Sequence, residues 1–128
     1  MNALELQSRL KKFALRTVKV TEALPKGRLS YIIEDQLLRS AFSAAANYRA
    51  ACKAISRKSF ISKLSIAFEE SDEALFWMEV IIEASLIPPQ KMKPIIQEST
   101  ELASILAASR KSAQEKDAKN QNKSNIQH

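Results

Sequence analysis

The chain has 128 residues, a formal net charge of +6, 45% apolar residues, one Gly and four Pro. That length suits a single core, and so little Gly and Pro excludes the turn-rich all-β folds. No stretch approaches the ~18 apolar residues of a membrane span, and MNALELQSRLKKF carries charges where a signal peptide needs its apolar run. A cytoplasmic protein with no membrane partner is expected.

Four segments show apolar positions spaced by three and four, the pattern that keeps one helix face against a core. In the first, Leu6, Leu10, Phe13, Thr17, Val20 and Leu24 are followed by the breakers Pro25 and Gly27, which predicts a helix over about 2–24. Ile33, Leu37, Ser40, Ala44, Asn47, Ala51 and Ala54 predict a second over about 29–55, with small residues that allow close helix approach. Continuing that seam would bury Lys58 and Asp72, so a turn must reset the phase. Phe60, Leu64, Ala67, Ser71, Ala74, Met78, Ile81 and Ser85 then predict a third helix over about 59–86, with Ser56 or Ser59 as its N-cap.

Pro88 and Pro89 stop the third helix, and Pro94 is compatible with the next only in its first turn. Met92, Ile95, Ser99, Leu102 and Leu106 predict a fourth helix over about 91–110. Residues 111–128 are almost devoid of apolar side chains and are expected to be a disordered basic tail. Short connections between such helices imply an all-α, antiparallel, up-down-up-down four-helix bundle over residues 1–110. The lone Cys52 reads as a small buried thiol.

Across the second and third helices the order of particular residues is distinctive: Gln36-Leu37, Arg39-Ser40, Asn47, Ala50-Ala51, Phe60, Lys63-Leu64, Glu69-Glu70, Asp72-Glu73 and Phe76-Trp77. With Arg16 and the Leu24-Pro25 stop in the first helix, this text closely resembles the bacterial four-helix-bundle proteins encoded by intervening sequences in 23S ribosomal RNA genes. The resemblance covers residues 6–108 and leaves the tail outside it. The family often carries Glu where this chain has Arg49 or Ala50. The resemblance implies a homopentamer with no established enzymatic activity. The accessory protein of diversity-generating retroelements is similar in fold. It is pentameric too, partners a reverse transcriptase and has a basic surface associated with nucleic acid.

Glu69, Glu70, Asp72, Glu73, Glu79 and Glu83 lie on the third helix with no base among residues 64–86. A ferritin-like metal enzyme would need Glu-x-x-His motifs from facing helices, and the single histidine is His128. No Ser-His pair and no Gly-rich phosphate loop can be built, so neither a cofactor, a small-molecule substrate nor catalysis is expected. The acids read instead as partners for the second helix. A turn centred near residues 57–58 sets Arg39 toward Asp72, Glu73 or Glu79 and Arg49 toward Glu69 or Glu70. Asn47 reads as a buried polar residue. Together Arg39, Asn47, Arg49, Glu70 and Glu73 are expected to fix register.

Residues 36–68 hold Arg39, Arg49, Lys53, Arg57, Lys58 and Lys63 and no acid. One end of the bundle is expected to gather Lys53, Arg57, Lys58 and Lys63 with Arg9, Lys11, Lys12, Arg110 and Lys111, with Lys116, Lys119 and Lys123 in the tail. Such a concentration is the electrostatic footprint of a phosphate-backbone binder without a base-reading motif, and fivefold repetition would add avidity. Ile66, Trp77 and Val80 follow one line of the third helix outside its core seam, and Leu4 and Leu15 do the same on the first. They predict an oligomer interface. The expectation is a non-enzymatic homo-oligomer that binds RNA or DNA or assists a nucleic-acid enzyme. The competing one is a protein-interaction scaffold whose charges serve solubility, and a metal-dependent enzyme of the ferritin-like type is a third, weaker alternative.

Overall fold

Side chains cap the starts of two helices, and a left-handed residue closes the end of one. The computed structural model describes residues 1–126, with side chains described through Lys123. The Asn2 side chain accepts from the Glu5 amide at 2.9 Å and starts α1, Ala3–Glu22. Gly27 precedes α2, Arg28–Cys52, and Ser56 caps α3, Arg57–Glu83, by accepting from the Ser59 amide at 3.1 Å. At the far end of α3, Ser85 takes the left-handed conformation with φ 57°. Its amide donates to the Ile82 carbonyl and that of Leu86 to the Ile81 carbonyl, both at 3.0 Å. This closure satisfies carbonyls that the helix end leaves unpaired.

Helix α4 spans Pro89–Ile126. It begins earlier than the stripe of apolar residues suggests, so Pro94 sits inside it, beyond the first turn, and one helix hydrogen bond is missing there. It also runs much further. The expected disordered tail is helix from Lys111 to Ile126, while residues 127–128, including His128, lie outside the described residues. After Pro94 the chain contains no Gly or Pro, and Ala, Gln, Glu and Lys sustain a helix without burying apolar surface. Ala113 is buried against the bundle, and Gln121 donates to Asp117 one turn back at 3.3 Å.

The fold is all-α, with four helices and no strand among the described residues. α2 packs along α3, α3 along α4 and α1 along α2, while α1 and α4 close the ring over a shorter stretch. The core contains Leu6, Leu10 and Phe13 of α1, Ile33 and Leu37 of α2, Leu64, Met78 and Ile81 of α3, and Met92, Leu102 and Leu106 of α4. The stripes on α3 and α4 match their sequence pattern. Those on α1 and α2 slip by one residue toward their far ends, where Thr21 replaces Val20 and Tyr48 replaces Asn47 in the buried set. A straight helix has 3.6 residues per turn and drifts about 20° per heptad against a strict seven-residue pattern. Buried Thr17 and Thr21 donate to the Ala14 and Val18 carbonyls at 2.6 and 2.7 Å, so their hydroxyls are satisfied within α1.

The left-handed Ser85 carries a side chain where Gly is the usual choice, and that conformation costs an L-residue about 1–2 kcal/mol. Part of the gain from Gly is offset by its greater freedom in the unfolded chain. Ser85→Gly is therefore expected to raise unfolding stability by about 0.5–1 kcal/mol, and Ser85→Val to lower it. Denaturant midpoints of the two variants at equal slope measure both.

Candidate functional site

The turn between α2 and α3 is built from residues that cannot continue the helix in phase, and it leaves its charges in water. Lys53 follows the last residue of α2, Arg57 and Lys58 open α3, and Lys63 follows two turns later; all four side chains are exposed. None makes an ion pair among the described residues. Arg57 and Phe60 face Ala108, Ser109, Ser112, Ala113 and Lys116 of α4 across a cleft of about 450 Å³. Lys116, expected from sequence in a loose tail, is thereby held on a helix beside Arg57. A second cleft of about 550 Å³ joins Ala3, Tyr48, Cys52, Ile55 and Arg57. In it Cys52 is half-buried, not fully buried, because it is the last residue of α2. Burial, and secondarily the Cys52 thiol, pushes the Tyr48 phenol well above its usual range.

Of the five other cations expected at this end, four are placed differently. Arg9 is tied to α4: its Nε donates to Glu98 Oε2 at 3.1 Å, its Nη2 lies 2.5 Å from Glu98 Oε1, and Glu101 is 3.5 Å away. The Glu98 hydrogen bond is the main cause holding the Arg9 guanidinium above its usual range. Lys11 and Lys12 stand half-way along α1, exposed on its outer side. They are not at the end because α1 is the shortest helix and its basic pair lies in its middle. Arg110 is half-buried, with its guanidinium 4.4 Å from the centre of the Phe68 ring. Only Lys111 remains exposed beside it. The basic end is therefore a smaller set: Lys53, Arg57, Lys58, Lys63, Lys111 and Lys116.

On the α2–α3 side Arg39 clasps two acids. Its Nη1 is 2.7 Å from Glu70 Oε2 and its Nη2 contacts Glu73 Oε2, which also accepts from Trp77 Nε1 at 3.2 Å. Hydrogen bonds from Glu73 first and Glu70 second hold the Arg39 guanidinium above its usual range. Arg49 makes no ion pair among the described residues. The α2–α3 turn centres between Ala54 and Ile55, nearer the N-terminus than the sequence suggests. That shift places Arg49 opposite the acid-free start of α3, out of reach of Glu69 and Glu70. Asn47 is half-buried and donates to the Ser43 carbonyl at 2.9 Å and Ser43 Oγ at 3.1 Å, both on its own helix. Among the described residues its hydrogen bonds stay within α2 and join no two helices.

Leu4 and Leu15 are 75% and 55% exposed. With Gln7, Ser8, Lys11, Phe42, Ala45, Ala46, Arg49 and Lys53 they line a groove of about 680 Å³ between α1 and α2. On α3, Trp77 and Val80 are half-buried against the core, contrary to their expected place on an outward face. Their line leans toward α2, on the flank where Glu73 of α3 accepts from the indole. Phe76 is 53% exposed and Ile66 37%. Phe76 meets Trp77 edge-on with centroids 5.0 Å apart. Periodicity alone favours the larger Trp77, although Phe76 lies nearer the pole opposite the core.

Among the described residues no group of three or more His, Cys, Asp or Glu side chains is placed to hold a metal ion, and no helix is long and apolar enough to cross a membrane.

The sequence model of the family described as 23S rRNA-intervening sequence protein matches residues 2–108. A solved structure from Bacteroides thetaiotaomicron, described as a protein with unknown function from the S23 ribosomal protein family, is 32% identical with a TM-score of 0.78. The match covers 87% of this chain and 99% of that one. No curated protein matches the chain.

The Arg39 clasp is part-exposed, so water screens it and pairs of this kind contribute about 0–1 kcal/mol. A double-mutant cycle on Arg39→Ala and Glu73→Gln should return a coupling within that range. Denaturant titrations of the four proteins measure it, and a coupling of several kcal/mol would contradict the assignment.

Proposed function

The chain belongs to the 23S rRNA-intervening sequence protein family, and from that premise we propose a non-enzymatic homo-oligomeric bundle, fivefold in assembly, whose basic end holds nucleic-acid backbone. One observation carries the reading. Lys53, Arg57 and Lys58 crowd a short turn in a stretch free of acids, remain exposed, and are joined across a cleft by Lys116. Fixed, unpaired cations on rigid helix ends attract phosphates by releasing their condensed counterions. Base readout is not part of the proposal: the set consists of exposed cations, the side chains that neutralise phosphates, and the aromatic ring beside them, Phe60, is half-buried. RNA and DNA are both admitted by such contacts, and a nucleic-acid enzyme working on the held strand is a compatible partner.

A protein-interaction scaffold is the second reading, favoured by the exposed Leu4, Leu15 and Phe76. Salt dependence separates the two. The assembled protein should retain structured RNA or duplex DNA at low salt and release it as salt rises. Replacing Lys53, Arg57, Lys58 and Lys63 together by Ala should weaken binding on all sequences alike. It should also flatten the slope of log affinity against log salt by about one for each phosphate no longer neutralised. Absence of retention at low salt overturns the nucleic-acid reading and leaves the scaffold.

A further inference from the structure

Two exposed surfaces of this bundle are opposite in charge, one a groove and the other a helix face with an exposed aromatic ring. The α1–α2 groove has an apolar floor of Leu4, Leu15 and Phe42, and its charged lining is wholly basic: Lys11, Arg49 and Lys53. The outer face of α3 centres on Phe76, and around it Glu69, Asp72, Glu79 and Glu83 are all exposed. None of these four acids takes part in an ion pair among the described residues, whereas Glu70 and Glu73 are occupied by Arg39. A convex apolar side chain ringed by acids is the complement of a concave apolar floor edged by cations. Each surface on its own bundle lacks a neighbour: α3 packs inward on α2 and α4, and the groove opens outward between α1 and α2.

We infer that these surfaces are the two halves of one heterologous contact between copies of this chain, with Phe76 of one copy seated in the α1–α2 groove of the next. The inference rests on the homo-oligomeric reading above and says which faces meet. Because the faces differ, every copy donates one and accepts with the other, the arrangement that closes into a ring when the rotation permits. The groove lies along residues 4–15 and 42–53, toward the α2–α3 turn, while the acidic face occupies the opposite half of α3. Neighbouring bundles must therefore meet inclined rather than side by side at equal height. Steering between opposite charges accelerates assembly, and the apolar anchor slows its release.

Charge exchange tests the contact. Lys11→Glu with Arg49→Glu leaves Lys53 as the groove's one cation beside two acids, and Glu69→Lys with Glu79→Lys cancels the negative charge of the α3 face and sets two cations there to meet the new acids; none of these residues belongs to the proposed basic end or to the Arg39 clasp. Each pair alone is expected to reduce the assembly to the 14.4 kDa chain in sedimentation equilibrium, with helical content and thermal midpoint retained. The fourfold variant, with both charges exchanged, should recover the mass of the wild-type assembly. If the wild-type chain assembles and either pair leaves its mass unchanged, this contact is wrong while the oligomeric reading stands. If the wild-type chain sediments as a monomer at working concentration, both fall. A drop in helical content in one pair alone is resolved by the fourfold variant, since recovery of fold and mass together supports the contact and failure to recover mass in a folded fourfold variant overturns it.

Discussion

Close approach of α2 and α3 through small side chains is the constraint on which the rest of this bundle depends. Ser40, Ala41, Ala44 and Ala51 of α2 and Ala67, Ser71 and Ala74 of α3 are all buried. Small residues at facing positions bring two helix axes to the short end of the usual separation, about 8 Å. That closeness positions Arg39 to reach both Glu70 and Glu73 in one grip, and it turns Trp77 onto the flank where Glu73 can accept from its indole. It also sets where the chain turns between the two helices. The position of that turn decides which cations stand together at the end of the bundle.

The four corners of the bundle are not equivalent. Facing α2 and α3 are joined by small residues and the Arg39 clasp, whereas α1 and α4 touch over a shorter length and are held by Arg9 on Glu98 and Glu101. The two clasps use a guanidinium fork against carboxylates, the geometry suited to bridging neighbouring helices. Their cost is functional: Arg9 and Arg39 are occupied and do not add to the free positive charge. What remains free is segregated, with cations on the α2–α3 turn and in the α1–α2 groove and acids on the outer face of α3. That separation of sign within a chain of net charge +6 connects the proposed binding end to the proposed contact between copies.

Much of the architecture is legible in the residue pattern because the pattern is itself the physical cause of burial. The apolar stripes of α3 and α4 coincide with the buried set, and Ser56 and Pro88-Pro89 mark real boundaries. The misplacements share a cause as well. A strict heptad assigns Val20 and Asn47 to the core, and helical drift passes those places to Thr21 and Tyr48. Residues after Lys111 look disordered through their lack of apolar groups, although their helix propensity is visible in the same letters.

The site was less legible than the fold. Opposite charges on a linear sequence have many prospective partners, and only the register of packed helices chooses among them. Sequence by itself determined that this chain forms four amphipathic helices, that its charge is unevenly distributed and that it belongs with the bundles it resembles, because periodicity, breakers and residue order are local properties. Tertiary structure alone decided that Arg9 is taken by α4, that Lys11 lines a groove with Arg49, and that Phe76 rather than Trp77 faces outward. Those outcomes depend on distances between helices, and a shift of a few residues in one turn moves a side chain by a whole helical turn relative to its neighbour.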